Sequence, residues 1–175
     1  MFEFVRDFGG GGTDNVEDIT VDVAGNIYTL ASFTDAIDCD PGSPVAFFDA
    51  SGSQDLIVTM FDPSGTFVWA HQLMGTAGIV TGQSIVTDDF GSVYVCGSFN
   101  GIIDLDPGAS GFGFTTNGME DVFYCKLNAG GIFLWGKQIG ANLSDIGVSV
   151  DLIGMPVELV ITGNFSGLVD FDPDA

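Results

Sequence analysis

The segment Phe99-Asn100-Gly101-Ile102-Ile103-Asp104-Leu105-Asp106-Pro107-Gly108 has two further copies in this chain, at residues 33–42 and 165–174. The first aspartate of each copy lies 66 residues after the one before it, at Asp38, Asp104 and Asp170. A fixed period of this length indicates a repeat protein in which each repeat forms one structural unit.

The same period relates residues outside this segment. Trp69 recurs as Trp135, and we expect both to be largely buried, because large aromatic side chains at repeated strand positions usually form core. One residue is missing after Gln138, so that Gly140 follows Gly75 by 65 residues. The predicted units are residues 9–74, residues 75–139 and a partial third repeat at residues 140–175, with residues 1–8 as the last strand of a preceding unit.

Each repeat contains four short segments with strand character, separated by turns rich in glycine, asparagine and proline. Residues 9–12, which are all glycine, are predicted to be a turn. Several of the strands are apolar on both faces, which indicates sheets that are covered on both sides. In the first repeat the strands are predicted at residues 17–22, 27–33, 55–61 and 67–73.

Four antiparallel strands per repeat, with no helical periodicity, predict an all-β protein built from β-propeller blades. A β-solenoid is the alternative. The chain holds about two and a half blades, whereas propellers close with roughly four to eight. We therefore expect an incomplete ring from a longer polypeptide whose further blades cover the exposed end strands, with an oligomeric ring as the other interpretation.

The charge of the chain limits its partners. Three basic residues stand against 24 acidic ones, which gives a formal net charge of -21. This charge repels phosphate groups, so nucleic acid and anionic membrane surfaces are excluded as partners. No apolar run reaches the roughly 18 residues that insertion into a membrane requires, and residues 1–6 lack the pattern of a signal peptide.

The cysteines and the histidine do not form a reactive site in the sequence. No two of the three cysteines, Cys39, Cys96 and Cys125, form a C-x-x-C motif. They take the places of apolar or small residues in the other repeats, so they are interpreted as core residues. A bridge between Cys96 and Cys125 is the alternative. His71 is the only histidine and aligns with Lys137, which predicts that the chain is not an enzyme.

Several motifs together resemble a known family. These motifs are residues 25–28, 97–101, 104–108, 121–127 and 135–140. They are similar to the bacterial SBBP repeat, a seven-bladed β-propeller repeat, and the resemblance covers essentially the whole chain. It implies a secreted or surface-exposed bacterial protein, often one module of a long polypeptide, and it implies no catalytic activity.

The repeated Asp-x-Asp-Pro segment, which we call the arm, is the best candidate for a site. Residues two apart in an extended strand point to the same side, so each arm can present two carboxylates to a calcium ion, which takes six to eight oxygen ligands. The alternative is that the first aspartate accepts hydrogen bonds from the turn. The candidate metal ligands are Asp38, Asp40, Asp104, Asp106, Asp170 and Asp172.

Two functions remain open on the sequence alone. The favoured one is a non-catalytic extracellular scaffold or binding module for a protein or carbohydrate ligand. The rival is a propeller hydrolase or lyase that acts on carbohydrate, for which an acidic cluster at the centre of the ring would be the discriminating observation.

Overall fold

The computed structural model describes residues 5, 7–40, 46–108, 111–154 and 156–171. In these ranges it contains β strands and no helix, so the prediction of an all-β protein is confirmed, and no segment there is a helix able to cross a membrane. The strands are β1 (Gly9–Gly10), β2 (Asp14–Val21), β3 (Ile27–Phe33), β4 (Ala36–Asp38), β5 (Phe47–Asp49), β6 (Asp55–Phe61), β7 (Phe67–Gly75), β8 (Val80–Thr87), β9 (Val93–Phe99), β10 (Ile102–Asp104), β11 (Gly113–Thr115), β12 (Asp121–Leu127), β13 (Phe133–Ile139), β14 (Ile146–Ile153) and β15 (Glu158–Asn164).

The strands form blades of an incomplete propeller. In the first blade the strand order is β2-β3-β6-β7, and the second blade repeats it as β8-β9-β12-β13, with every neighbouring pair antiparallel. The hairpin of β14 and β15 begins a third blade in the same way. The four-stranded antiparallel repeat predicted from the sequence is therefore confirmed, and the described strands do not close a ring.

The arm of the second repeat pairs with the first blade. The hairpin of β10 and β11 adds to the outer strand β7, where Asp104 pairs with Met74 and Ile103 pairs with Gly75. This pairing extends β7 two residues beyond its predicted end at Leu73. The first two blades are thus joined by backbone hydrogen bonds as well as by side-chain packing.

The prediction of a turn at residues 9–12 is wrong for its first half. Gly9 and Gly10 form a short strand that pairs with Asp38 and Ile37 of the first arm. A Cβ atom at Gly10 would lie 1.6 Å from the carbonyl oxygen of Ala36, so only glycine permits this pairing. The strand predicted over residues 1–8 falls mostly outside the described residues.

Apolar side chains fill the junctions between blades. Tyr28 and Leu30 of the first blade share a buried cluster with Ile85 on the inner strand of the second. A Cβ atom at Gly82 would lie 2.7 Å from Cδ2 of Leu30, so glycine at that position leaves the space that the leucine occupies. The junction also has a polar link, because the Ile85 amide donates to Oδ2 of Asp18 at 2.9 Å.

The cysteines are buried and free, as their core interpretation predicts. The alternative of a bridge between Cys96 and Cys125 is wrong. Cys96 pairs with Tyr124, so Cys125 is one residue farther along the strand and lies on the opposite face of the sheet. Burial raises the pKa of each thiol to about 12, which keeps all three protonated.

The two tryptophans occupy equivalent strand positions, and each packs against a core cluster with the larger part of its surface buried, as predicted. Both lie on the outermost strand of their blade, where one edge of each indole ring meets solvent. The Trp69 indole Nε1–H donates to the carbonyl oxygen of Ala129 in the next blade at 3.1 Å. A Cβ atom at Gly131 would lie 2.6 Å from the Trp69 ring, which explains the glycine there.

Candidate functional site

The first aspartate of the first arm and that of the second arm each hold the turn that follows. Oδ1 of Asp38 accepts a hydrogen bond from the Asp40 amide at 3.0 Å. Oδ1 of Asp104 accepts from the Asp106 amide at 3.1 Å and from the Phe112 amide at 2.7 Å. These contacts are the turn-forming role that the sequence left open as the alternative to metal binding.

The second arm forms a groove with the outer strand of the preceding blade. His71 on β7 lies with Nε2 2.9 Å from the carbonyl oxygen of Leu105, so this nitrogen carries a proton and donates to the arm. Asp106 follows directly on the chain. His71 and Asp106 line a cavity of about 270 Å³ together with Phe48 and Gln72.

The same groove recurs one blade farther along the chain. Lys137 takes the place of His71, Gln138 that of Gln72, and Phe114 that of Phe48. They line a cavity of about 380 Å³ together with Asp170 of the third arm. Asp170 is the repeat equivalent of Asp104, whereas the equivalent of Asp106 is Asp172, which lies outside the described residues. We call these two cavities the arm grooves. Each combines an aromatic ring, a glutamine, a nitrogen-bearing side chain and an aspartate from the next repeat.

A glutamine fixes the back of each arm groove. Nε2 of Gln72 donates to Oδ2 of Asp55 and to the carbonyl oxygen of Asp49, both at 2.8 Å. Nε2 of Gln138 donates in the same way to Oδ2 of Asp121 and to the carbonyl oxygen of Thr115. This amide ties the arm hairpin to the blade, so the groove walls are held in place without a ligand.

Asp55 and Asp121, which bind these glutamines, are anchors for which no role was predicted from the sequence. Both are fully buried. Asp55 also accepts hydrogen bonds from the amides of Ser51 at 2.9 Å and Gly75 at 2.7 Å. Recurrence of an aspartate after 66 residues, at a position flanked by apolar strand residues, was the signal for this buried anchor.

The aspartates of the candidate metal site are not brought into one cluster. In the described ranges no group of three or more histidine, cysteine, aspartate or glutamate side chains is arranged to hold a metal ion. Asp40 lines a separate cavity of about 310 Å³ with Phe61 and Phe67, and Asp172 lies outside the described residues. Calcium binding by an arm would need several backbone carbonyl oxygens as well, and it stays a prediction.

A second set of aspartates stabilises the hairpin turns between the inner strands. Oδ1 of Asp88 accepts from the amides of Phe90 and Ser92, and Oδ2 accepts from the Tyr94 hydroxyl at 3.1 Å. Burial would raise the pKa of Asp88, but these hydrogen bonds together lower it below its ordinary value. The carboxylate also lies 3.6 Å from Nζ of Lys126.

Comparison with known proteins gives the same repeat. A family model described as SBBP beta-propeller repeat matches residues 68–104. The chain is similar to a β-propeller repeat. It is also similar to an uncharacterized WD repeat-containing protein, L264, of Acanthamoeba polyphaga mimivirus, with 25% identity over 171 residues. That alignment covers 87% of this chain and 12% of the relative.

The matched residues run from β7 of the first blade to Asp104 in the second arm. They therefore include His71 and Gln72, which line one wall of the first arm groove, and the strand β10 that places the opposite wall. The seven blades and the bacterial origin that the resemblance implies stay predictions.

Proposed function

We propose that this chain is a non-catalytic repeat scaffold that binds a protein or carbohydrate ligand in its arm grooves. The observation that carries the proposal is the recurrence of the groove with the same kinds of side chain in successive blades. Binding surfaces of repeat proteins are built by such repetition, whereas a catalytic centre needs one particular constellation of residues. The similarity to propeller and WD repeats supports a scaffold.

The chemistry of the grooves suits a polar ligand with an apolar face. Phe48 and Phe114 offer ring surface, Asp106 and Asp170 accept hydrogen bonds, and His71 and Lys137 lie beside them. His71 is unsuited to act as a general base at Nε2, because that nitrogen donates to a main-chain carbonyl group.

We further propose that the chain functions outside the cell as part of a larger secreted or surface protein. The net charge of -21 favours solubility in such a setting. The chain spans 12% of the length of its mimivirus relative, which is consistent with one module among several. Fusion of the natural full-length protein to a reporter, followed by cell fractionation, tests the location.

Binding is tested by applying the fluorescently labelled chain to a glycan array and, separately, to a peptide array. We expect ligands on one array to be bound at least tenfold more weakly by the double variant Asp106→Ala with Lys137→Ala. The control is Asp89→Ala, which removes an exposed carboxylate outside the arm grooves. Binding that the double variant leaves unchanged, or no binding on either array, contradicts the proposal.

The rival function is a carbohydrate-active hydrolase or lyase. It is tested with the same glycans, by incubating each that binds with the chain and analysing the mixture by mass spectrometry. Cleaved products would favour the enzyme over the scaffold if the double variant Asp106→Ala with Lys137→Ala also releases them.

A further inference from the structure

The chain contains two Asn-Gly pairs, Asn100-Gly101 and Asn117-Gly118. Asparagine followed by glycine is prone to deamidation, because glycine has no Cβ atom to hinder the attack of its amide nitrogen on the asparagine side chain. The attack requires that the asparagine side chain and the glycine amide are both free to approach each other. The fold restrains these two groups in the first pair far more than in the second.

The first pair is held at both reacting groups. Oδ1 of Asn100 accepts a hydrogen bond from the Ile79 amide at 3.0 Å. The Gly101 amide donates to Oγ1 of Thr116 at 3.2 Å. The main chain is fixed on both sides as well, since the Asn100 amide donates to the Ile79 carbonyl oxygen at 3.1 Å. Reaction within this pair therefore requires that hydrogen bonds break first.

The second pair lies in the loop between β11 and β12, where the reacting groups are not held. Asn117 is exposed, and its main-chain amide donates to Oδ2 of Asp121 at 2.8 Å. Its side chain has no hydrogen-bond partner among the described residues, and the Gly118 amide donates to no acceptor among them. The side chain and the glycine amide can therefore meet in the folded protein.

Packing requires glycine at position 118, so a bulkier residue there cannot protect Asn117. A Cβ atom at Gly118 would overlap the carbonyl oxygen of Ala141. The first repeat has Gly52 at the equivalent position, where a Cβ atom would also overlap a carbonyl oxygen. The residue before it is Ser51, which has no side-chain amide to lose. Between these two repeats, the reactive pair is thus specific to the second.

We propose that Asn117 is a site of spontaneous deamidation, and that the fold directs the reaction to it rather than to Asn100. The Gly118 amide nitrogen forms a bond to Cγ of Asn117, and the bond from Cγ to Nδ2 breaks. The leaving nitrogen takes up the proton of the Gly118 amide and departs as ammonia. Water then opens the succinimide ring at either of its two carbonyl carbons, which gives aspartate or isoaspartate with one negative charge more than asparagine.

The reaction alters the second arm groove, because Asn117 lines it together with Gln138 and Lys137. A side-chain amide both donates and accepts hydrogen bonds, whereas a carboxylate only accepts them and carries a charge. A ligand group that accepts a hydrogen bond from Asn117 therefore loses its donor and meets a negative charge instead. This consequence, unlike the reaction itself, rests on the function proposed for the arm grooves.

The reaction is tested by incubating the folded chain at about pH 7.5 and about 37 °C, followed by pepsin digestion at acid pH and mass spectrometry. Cleavage at the phenylalanines between the two pairs places Asn100 and Asn117 on separate peptides. We expect Asn117 to react at least about tenfold faster than Asn100, because hydrogen bonds must break before Asn100 can react. In guanidinium chloride, which removes this protection, the two rates should be similar.

The matched control is Asn117→Ser, which reproduces the first repeat and should abolish the mass change on this peptide. Equal rates at Asn100 and Asn117 in the folded chain, a faster reaction at Asn100, or no reaction at Asn117 would overturn the assignment. So would an Asn100 that stays unreactive in the unfolded chain, because hydrogen bonds would then not be its protection.

The consequence for the groove is measured separately, with Asn117→Asp as a mimic of the aspartate product. We expect it to bind more weakly than the unaltered chain those ligands on the glycan or peptide array that Asp106→Ala with Lys137→Ala also weakens. Unchanged binding by Asn117→Asp would overturn the consequence for the groove. Deamidation of Asn117 without a ligand on either array would instead count against the proposed function of the grooves alone.

Discussion

Replacing Leu30 by alanine tests whether the junction between the first two blades is a fitted pair of side chains. Leu30 is fully buried, and its Cδ2 occupies the space that a side chain at position 82 would fill. A buried Leu→Ala substitution costs about 2–5 kcal/mol, because transfer free energy is lost and a cavity remains. We expect Leu30→Ala to lower the free energy of unfolding by about 3 kcal/mol.

The pairing of the two residues predicts how a second substitution behaves. In the unaltered chain Gly82→Ala places a Cβ atom 2.7 Å from Cδ2 of Leu30, and such overpacking costs about 1–3 kcal/mol. In the Leu30→Ala background the same methyl group enters the cavity. The double variant should therefore be more stable than the sum of the single effects by about 1–2 kcal/mol.

The assay is urea denaturation followed by circular dichroism. The slope of each transition must stay constant for the four proteins of the cycle to be compared. Additivity of the two substitutions within about 0.5 kcal/mol would refute the reasoning, because independent sites behave in that way.

Three further predictions concern the backbone, the turns and the arms. Asp35 is the one described non-glycine residue with a positive φ, at 60°, and the next repeat has Gly101 at this position. Asp35→Gly should therefore raise the free energy of unfolding by about 1 kcal/mol, and Gly101→Asp should lower it, as measured by urea denaturation. Because the pKa of Asp88 is lowered in the folded protein, this carboxyl group holds a proton less tightly there than in the unfolded chain. The ionised Asp88 therefore stabilises the fold above about pH 4, and this stabilisation is lost as the pH falls through the folded pKa. Asp88→Asn should flatten the acid limb of a plot of melting temperature against pH. Calcium chloride should raise the melting temperature more than magnesium or sodium chloride of equal ionic strength, with a gain in the free energy of unfolding of about 2.7 kcal/mol at a hundredfold excess over Kd. The double variant Asp104→Asn with Asp106→Asn should remove that difference. Equal shifts in all three salts would leave the arms as turn formers.

Strand positions could be predicted where local signals agree. The bounds of β3 and β6 coincide with the predicted segments, because turn residues flank each one and both of its faces are apolar. The strand at Gly9–Gly10 could not be predicted, since glycine usually indicates a turn and the partner strand lies about 27 residues away. Its pairing depends on backbone contact rather than on side-chain pattern.

The turn-forming aspartates of the arms could be predicted from the sequence, but the arm grooves could not. The turn role of Asp104 follows from its place before a Pro-Gly turn, and it was predicted from the sequence as the alternative to metal binding. The groove that Asp106 lines with His71 was not predicted, because it requires the arm to pair with the preceding blade. Residues about 35 apart in the chain come together only through that pairing.

The residue missing after Gln138 has a structural consequence that yields the last prediction. In the first repeat the Gly75 amide donates to Oδ1 of Asp55 at 2.7 Å. In the second repeat Oδ1 of Asp121 is buried without a hydrogen-bond partner. The equivalent glycine, Gly140, lies so close that a Cβ atom there would be 2.3 Å from this oxygen.

A chain shorter by one residue cannot present the glycine amide at the distance found in the first repeat, and a buried acceptor without a partner costs about 1–3 kcal/mol. Inserting methionine between Ile139 and Gly140, which reproduces the order Leu73-Met74-Gly75, should therefore raise the free energy of unfolding by about 1 kcal/mol. The matched control inserts the same residue in the loop after Asn142, where it should be neutral or destabilising. If both insertions destabilise the chain equally in urea denaturation, the shorter segment is not the reason that Asp121 lacks its donor.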